Sequence, residues 1–349
     1  MLMPKFPTLV VVTVAGLALA GCTKVTTGQA GVSSPNGSPS ATTAAAPCPK
    51  PVSARKGPVD DQLTFESLNR TYRVWIPATY SGDVALPIIV NYHGTGGDPQ
   101  SIDVFSSNLS AKANARNYIV VAPQGDKGGG ETVRWTVPGI GTTPDDVSFT
   151  NAMLDKLSSE FCIDQKRIFA TGFSSGGAMS TWIGQTDSER FAGIAPGGGV
   201  NLVDPTFQRF PIPIYAYHGT KDEFAFYNGI DGVPNKPDPV NRGKVAFFGG
   251  VEEVMTYWAQ GNGCQPTFTD TNLAPDAIVR TWAGCKAATQ VLLAVGGGHT
   301  FPGGTTRLGG DVGATITSVN MADLMLNWFD TQRRVSQQSS PGSLGSKRD

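Results

Sequence analysis

Residues 172–176 read Gly172-Phe173-Ser174-Ser175-Gly176 and directly follow the β-prone run Arg167-Ile168-Phe169-Ala170-Thr171. A serine between two glycines at a strand-to-helix corner is typical of the turn that exposes a catalytic serine. Glycines are needed because the turn strains the backbone of the serine, and a side chain two residues to either side would collide with a neighbouring strand or helix. The residues from Gly177 to Ile183 then predict a helix. Ser174 is therefore the predicted nucleophile.

The acid and the base of a serine triad are expected after such a nucleophile, in that order. The apolar run from Ile212 to Tyr217 predicts a buried strand that leads into Asp222, and the carboxyl ends of strands are where such sheets gather catalytic groups. A second apolar run, from Val291 to Val295, leads into a glycine-rich loop that carries His299. The sequence thus predicts Asp222 as the orienting acid and His299 as the general base.

The chain contains three histidines, and the other two are interpreted differently. His93 begins the segment His93-Gly94-Thr95-Gly96-Gly97, which matches a loop that supplies one N–H group to an oxyanion hole, so we predict a structural role and a position beside the substrate. His218 precedes Asp222 by four residues and is interpreted as a hydrogen-bonded loop histidine.

These groups together predict acyl transfer. His299 would take the proton of Ser174 Oγ, while Asp222 holds the imidazole in the required tautomer and stabilises the imidazolium. The oxyanion would be held by the backbone N–H groups of Thr95 and Ser175. The Ser175 side chain is interpreted as incidental.

Alternating strand and helix patterns predict an α/β fold of the α/β-hydrolase class, with a mainly parallel sheet and helices on both faces. The predicted strands cover residues 72–76, 86–92 and 118–122, besides those named above. The predicted helices cover about 106–116, 146–160, 251–259 and 315–329.

Eight parts of the chain carry a family resemblance: His93–Gly97, Val121–Gly125, Asp145–Phe149, Cys162–Asp164, Arg167–Gly177, His218–Asp222, Trp258 with Asn262–Cys264, and Trp282 with Gly284–Cys285. Together they resemble the carbohydrate esterase family 1 group, which includes feruloyl esterases, acetylxylan esterases and polyhydroxybutyrate-depolymerase-like esterases. The resemblance covers residues 58–332 and implies an ester hydrolase. The strand-to-helix turn Gly172–Gly176, which we call the elbow, is with Gly177 more typical of the depolymerase-like members, whereas Cys162-Ile163-Asp164 is more typical of the feruloyl esterases.

The composition is that of one large domain. The 349 residues carry 27 basic and 28 acidic side chains and are 40% hydrophobic, which is ample for one core. No basic stripe points to nucleic acid, and the glycine-rich segments lack P-loop and Rossmann spacings. Three scattered histidines without a Cys-x-x-Cys pair argue against zinc. We therefore expect neither a cofactor nor a metal. We also expect a monomer.

The amino terminus is typical of an export signal. Lys5 precedes the apolar stretch from Leu9 to Ala20, which has the length of a signal h-region. The stretch ends in Leu19-Ala20-Gly21-Cys22, which resembles a bacterial lipobox. We predict a signal peptide over residues 1–22 and lipidation of Cys22; the alternative is an ordinary signal peptide with a chance cysteine.

The rest of the chain divides into three parts. Residues 23–57 are rich in Thr, Gly, Ser, Ala and Pro and predict a disordered tether. Residues 58–332 form the predicted esterase domain, and residues 333–349 a disordered tail. The predicted enzyme is secreted, or tethered to the cell surface by lipid.

Five cysteines are an odd number for an exported chain. Without Cys22, four remain, which allow three pairings in an oxidising compartment. We favour Cys264–Cys285, which joins the end of the helix predicted at 251–259 to a nearby β-segment. We also favour Cys48–Cys162, which fastens the start of the domain near the nucleophile strand, as the resemblance suggests too. The alternative is buried free thiols.

Two classes of function remain. The first is a serine carboxylesterase that acts on ester-bearing polymers, with feruloyl polysaccharide favoured and polyester or acetylated xylan as rivals. The second is a surface binding protein that kept the fold without the activity. The intact Ser174, Asp222 and His299 favour the enzyme.

The acyl pocket depends on loops whose shape the sequence does not determine, at residues 126–144 and 221–245. Trp135 lies in the first loop and, with His93, is the candidate substrate-binding residue. The alternative for Trp135 is packing on the surface, because an amphipathic ring suits either place.

Overall fold

The computed structural model describes Cys48 and residues 53–127, 130–138, 144–207, 211–230, 236–237, 246–305 and 312–334. The predicted signal peptide with Cys22, most of the predicted tether and residues 335–349 of the predicted tail lie outside the described residues. Within the described part of the chain, no helix combines the length and the apolar content needed to cross a membrane.

The described elements alternate between strands and helices along the chain. The helices are α1 (Pro99–Phe105), α2 (Leu109–Asn114), α3 (Asp146–Glu160), α4 (Ser175–Thr186), α5 (Val251–Gly261) and α6 (Met321–Thr331). The strands are β1 (Gly57–Phe65), β2 (Leu68–Ile76), β3 (Leu86–Tyr92), β4 (Ile119–Pro123), β5 (Ile163–Phe173), β6 (Gly193–Gly197), β7 (Ile214–Gly219), β8 (Lys236–Pro237), β9 (Ala246–Phe247), β10 (Phe268–Ala274), β11 (Ala277–Trp282) and β12 (Thr289–Ala294).

The main sheet of the described residues has ten strands in the order β1-β2-β4-β3-β5-β6-β7-β12-β11-β10. The strands from β4 to β12 in this order are parallel, and antiparallel strands extend the sheet at both edges. Every residue of β3, β4, β6 and β7 is buried, because parallel strands are covered on both faces.

Helices cover both faces of this sheet. One apolar core joins the sheet to α3, α4 and α5, and a second core joins the opposite face to α1, α2 and α6. The predicted architecture, a mainly parallel sheet with helices on both faces, is confirmed.

Two predicted helices have other bounds in the structure. The helix expected at 106–116 is replaced by α1 and α2, because Ser107 and Asn108 have positive φ angles of 61° and 54° that interrupt the helical backbone. The closing helix expected at 315–329 begins only at α6, because the side chain of Asn320 accepts hydrogen bonds from the first-turn N–H groups and so caps it.

Two disulfides join the four described cysteines, as Cys48–Cys162 and Cys264–Cys285. These are the pairings favoured from the sequence. The first bond and the hydrogen bond from Ser53 N to Glu160 O (2.6 Å) attach the chain to the domain upstream of the expected boundary at residue 58. Cys48 and Ser53, which the sequence placed in the tether, therefore contact the folded domain.

Candidate active site

Ser174 is the residue at which β5 ends and α4 begins. Its backbone has φ 59° and ψ −123°, a conformation that costs a non-glycine residue about 1–3 kcal/mol. Ser174 N donates to Gly197 O at 2.9 Å, and Ser174 O accepts from Ala178 N at 2.9 Å. Strand β6 and the first turn of α4 thus hold the strained serine at the carboxyl end of the parallel strands.

Gly172 and Gly176 of the elbow have no room for a side chain. A Cβ atom on Gly172 would lie 2.5 Å from Gly176 O and 2.6 Å from Tyr92 O. A Cβ atom on Gly176 would overlap Tyr92 O. The elbow therefore packs against the end of β3, and only glycine fits at either position.

Asp222 and His299 form a buried pair. Asp222 Oδ2 lies 2.7 Å from His299 Nδ1, and the two residues are 4% and 3% exposed. Asp222 Oδ1 accepts hydrogen bonds from the backbone N–H groups of Phe224 and Ala225, both at 2.8 Å. The carboxylate thus orients the imidazole and at the same time closes the turn after β7.

His218 is the second imidazole at this carboxylate. Its Nε2 lies 3.2 Å from Asp222 Oδ2 and 2.7 Å from Ala225 O. Burial alone would raise the pKa of Asp222, but the hydrogen bonds from His218 and His299 outweigh burial and hold that pKa well below its usual range. His218 lies in the buried strand β7, and not in a loop as the sequence interpretation expected. It contacts the acid itself, which its four-residue spacing from Asp222 could have indicated.

His299 lies next to the elbow. Its ring centroid is 4.6 Å from that of Phe173, the residue before Ser174. None of the contacts among the described residues joins Ser174 Oγ to His299 Nε2 at hydrogen-bond distance. Such bonds are often long without substrate and shorten in the reacting complex.

The backbone N–H groups of Thr95 and Ser175 are the candidates for an oxyanion hole. The hydrogen bonds among the described residues include none that either of these two groups donates. The segment that carries the Thr95 N–H group lies close to the serine, because a Cβ atom on Gly94 would be 3.3 Å from Ser174 Cβ. The Ser175 side chain is buried, and its Oγ has no hydrogen-bond partner among the described residues.

The ring of His93 links the Gly94–Gly97 segment to Gly125. Gly125 N donates to His93 Nε2 at 2.9 Å, so the ring proton is on Nδ1, which donates to Gly94 O at 2.7 Å. Burial lowers the pKa of His93, in agreement with a neutral ring. The side chain is fully buried and its nitrogens are used internally, so His93 supports the segment. The residue also lies at the wall of the cavity beside Ser174.

The expectation for Trp135 is wrong in both of its forms. The side chain is fully buried, so it is neither a surface residue nor exposed to a ligand. Its Nε1 donates to His93 O at 2.7 Å, and its ring packs on those of Tyr92 and His93. Trp135 is a buried anchor of the segment that carries the Thr95 N–H group.

A buried ion pair fixes the loop of Trp135 in turn. Arg70 Nη2 donates to Asp146 Oδ1 at 2.6 Å, and Thr136 N donates to Asp146 Oδ2 at 2.7 Å. The Arg70 guanidinium also lies 3.9 Å from the ring centre of Phe149. The sequence singled out Asp146 only through the resemblance, and nothing in it identified Arg70.

A cavity of about 90 Å³ opens beside Ser174. Apolar side chains of Ile102, Phe105 and Phe173 form part of its wall, and the Gly94–Thr95 backbone forms another part. Within the described residues, no cluster of His, Cys, Asp and Glu side chains could hold a metal ion.

Known proteins resemble this chain in sequence. A profile of the prolyl oligopeptidase family matches residues 104–235. Feruloyl esterase B of Piromyces equi is 32% identical over 233 residues, which are 65% of this chain and 42% of that protein. Feruloyl esterase C of Emericella nidulans is 30% identical over 239 residues, which are 66% of this chain and 76% of that protein. This chain therefore spans less than half of the Piromyces protein.

Solved structures show the same fold. An acetyl xylan esterase from Aspergillus awamori superposes with a TM-score of 0.52 and 16% identity, over 78% of this chain and 99% of that chain. The fold is thus that of the α/β-hydrolases. The chain belongs to the carbohydrate esterase family 1 group of carboxylic ester hydrolases, and the resemblance noted in its sequence is confirmed.

The anchoring role of Trp135 is tested by Trp135→Phe. This change leaves the buried His93 carbonyl without its Nε1–H donor, a loss of about 1–3 kcal/mol. We expect kcat/KM for ester hydrolysis to fall by about tenfold as the Thr95 N–H group loses its position. Trp258→Phe is the control, because Trp258 is as buried but its Nε1 has no partner among the described residues. Equal losses in both variants would contradict the anchoring role.

The lowered pKa of Asp222 predicts how kcat/KM depends on pH at the acid end of the profile. Asp222 stays ionised while pH falls through about 4, where ordinary carboxyl groups titrate. Its contribution to stability is present above the unfolded-state pKa and is lost only as pH falls through the lower folded-state pKa. The pH profile of kcat/KM should therefore show no protonation of Asp222 near pH 4. A step with a midpoint near pH 4 that is absent from the profile of Asp222→Asn would refute this.

Proposed function

We propose that this chain is a serine carboxylesterase in which Ser174 is the nucleophile, His299 the general base and Asp222 the orienting acid. The observation that carries the proposal is the buried Asp222–His299 hydrogen bond beside a strained serine at the strand-to-helix corner. A strained serine backbone persists only where the surrounding structure holds it, and such strain is concentrated at functional sites.

The reaction would proceed in two steps. Ser174 Oγ attacks the ester carbonyl carbon as His299 accepts its proton, and the N–H groups of Thr95 and Ser175 stabilise the oxyanion. His299 then gives the proton to the leaving alcohol as the acyl-enzyme forms. Water then attacks the acyl carbon of the acyl-enzyme as His299 accepts its proton. The bond to Ser174 Oγ breaks, His299 returns the proton to that oxygen, and the acid is released.

The proposed substrates are ester groups on polysaccharides, with feruloyl esters favoured. The support for this choice is the pair of relatives named feruloyl esterase B and feruloyl esterase C. The proposed products are a hydroxycinnamic acid and the free polysaccharide hydroxyl group.

Acetyl esters are the second candidate, because of the size of the cavity beside Ser174. At about 90 Å³, it accepts a short acyl group, whereas a hydroxycinnamoyl group would extend beyond it. Polyester substrates stay a third possibility through the Gly172–Gly177 elbow of the depolymerase-like members.

We further propose that the chain is exported and that lipid on Cys22 attaches it to the cell surface. The tether expected at residues 23–57 would then end at Cys48, where the disulfide to Cys162 joins the chain to the esterase domain expected at residues 58–332. The lipobox-like sequence at Leu19–Cys22 supports this. Two disulfides are also typical of an oxidising compartment.

Substitution of the triad tests the proposed chemistry. Ser174→Ala and His299→Ala should each lower kcat by about a thousandfold or more without unfolding, because triad members act as a unit. Asp222→Asn should cost somewhat less. Purified Ser174→Ala protein that keeps a tenth of wild-type activity would exclude the assignment, and wild-type protein without esterase activity would favour the surface binding protein instead.

A substrate panel tests the proposed acyl group. We expect a higher kcat/KM on a feruloylated arabinoxylan oligosaccharide than on an acetylated xylo-oligosaccharide or on short 3-hydroxybutyrate oligomers, since specificity is a ratio of these constants. A tenfold or greater preference for the acetylated oligosaccharide or for the hydroxybutyrate oligomers would replace the feruloyl proposal and leave the triad intact.

The lipid anchor is tested in a bacterial host. Mass spectrometry of the mature amino terminus should show acylated Cys22, with two chains giving stable membrane attachment. Cys22→Ser protein should carry no acyl group. A mature amino terminus elsewhere in the chain would change the proposal to a freely secreted enzyme.

A further inference from the structure

Phe224 is an exposed aromatic residue at the candidate triad. Its side chain is 43% exposed, and its ring stacks on the ring of His299, with centroids 5.5 Å apart and planes 25° apart. A single exposed apolar side chain is common on protein surfaces. The position of Phe224 against the catalytic base, and not its exposure alone, gives it a role.

The backbone of Phe224 is held in place by Asp222, and its ring packs on His299. Its backbone N–H donates to Asp222 Oδ1 at 2.8 Å, and the neighbouring Ala225 N does the same. The other oxygen of that carboxylate binds His299. Phe224 and His299 are therefore fixed to one carboxylate, and an exposed aromatic face is presented in a defined orientation beside the site.

The two sides of Ser174 differ in what they offer a substrate. The small cavity lies on the side of Thr95, Ile102 and Phe105, next to the unpaired N–H groups that would bind the oxyanion. His299 must deliver its proton to the leaving alcohol, so the alcohol part of the ester lies at the imidazole. Phe224 covers that imidazole and is not part of the cavity wall.

We propose that Phe224 forms an aromatic subsite on which a sugar ring of the alcohol part of the ester stacks; this rests on the proposed function. The C–H groups on one face of a sugar ring carry partial positive charge, and they pack well on the negative face of an aromatic ring. The subsite would select esters of sugars over esters of small alcohols. It would act in the same way on feruloyl and acetyl esters, because it contacts the alcohol and not the acid.

The test compares two esters of the same acid. Methyl ferulate is paired with a feruloylated arabinoxylan oligosaccharide, and methyl acetate with an acetylated xylo-oligosaccharide. In Phe224→Ala and Phe224→Leu, we expect the ratio of kcat/KM for the sugar ester to that for the methyl ester to fall about fivefold or more. Phe224→Tyr keeps the aromatic face and should keep the ratio.

Phe268→Ala is the matched control, because Phe268 is 48% exposed but lies on the edge strand β10. It should leave the ratio unchanged. Binding adds a readout that needs no turnover: Ser174→Ala protein should bind the unesterified oligosaccharide, and Ser174→Ala with Phe224→Ala should bind it at least fivefold more weakly.

Two results would overturn the proposals separately. A ratio of sugar-ester to methyl-ester kcat/KM that Phe224→Ala leaves unchanged would remove the subsite, and an equal fall of both kcat/KM values would assign Phe224 to the positioning of His299 instead. In that case the esterase assignment survives. Absence of hydrolysis of all four esters by the wild-type protein would overturn the proposed function itself.

Discussion

The carboxylate of Asp222 is the group on which the candidate site depends. A buried charge costs several kcal/mol unless it is paired and hydrogen-bonded, and here both oxygens are used. One accepts two backbone N–H groups, which closes the turn after β7, and the other accepts the imidazoles of His299 and His218. A single buried charge thereby sets the shape of the loop, the orientation of the base and the position of Phe224.

The opposite side of Ser174 is built on neutral hydrogen bonds. His93 accepts from Gly125 and donates to Gly94, and Trp135 donates to the carbonyl of His93. The buried Arg70–Asp146 pair fixes the loop behind them. Donors positioned before the reaction need no reorganisation as charge develops, so this support of the Thr95 segment suits an oxyanion hole.

The sequence predicted the parts of the site that steric or topological rules dictate. Gly172 and Gly176 are unavoidable at a crowded, strained elbow, and the order Ser174, Asp222, His299 follows from a sheet whose strand ends meet at one edge. The place of Trp135 could not be predicted, because its indole N–H binds a carbonyl 42 residues away. The break at Ser107 and Asn108 was missed for a related reason: positive φ in ordinary residues is imposed by tertiary packing and leaves no mark in the hydrophobic pattern.

The central claim is that Ser174 is an activated nucleophile. A fluorophosphonate probe reacts with such a serine, and peptide mass spectrometry locates the adduct. The account predicts one phosphonyl group per chain, attached to Ser174, absent in Ser174→Ala and formed far more slowly in His299→Ala. An adduct on Ser175 or elsewhere, or no adduct on folded wild-type protein, would contradict it.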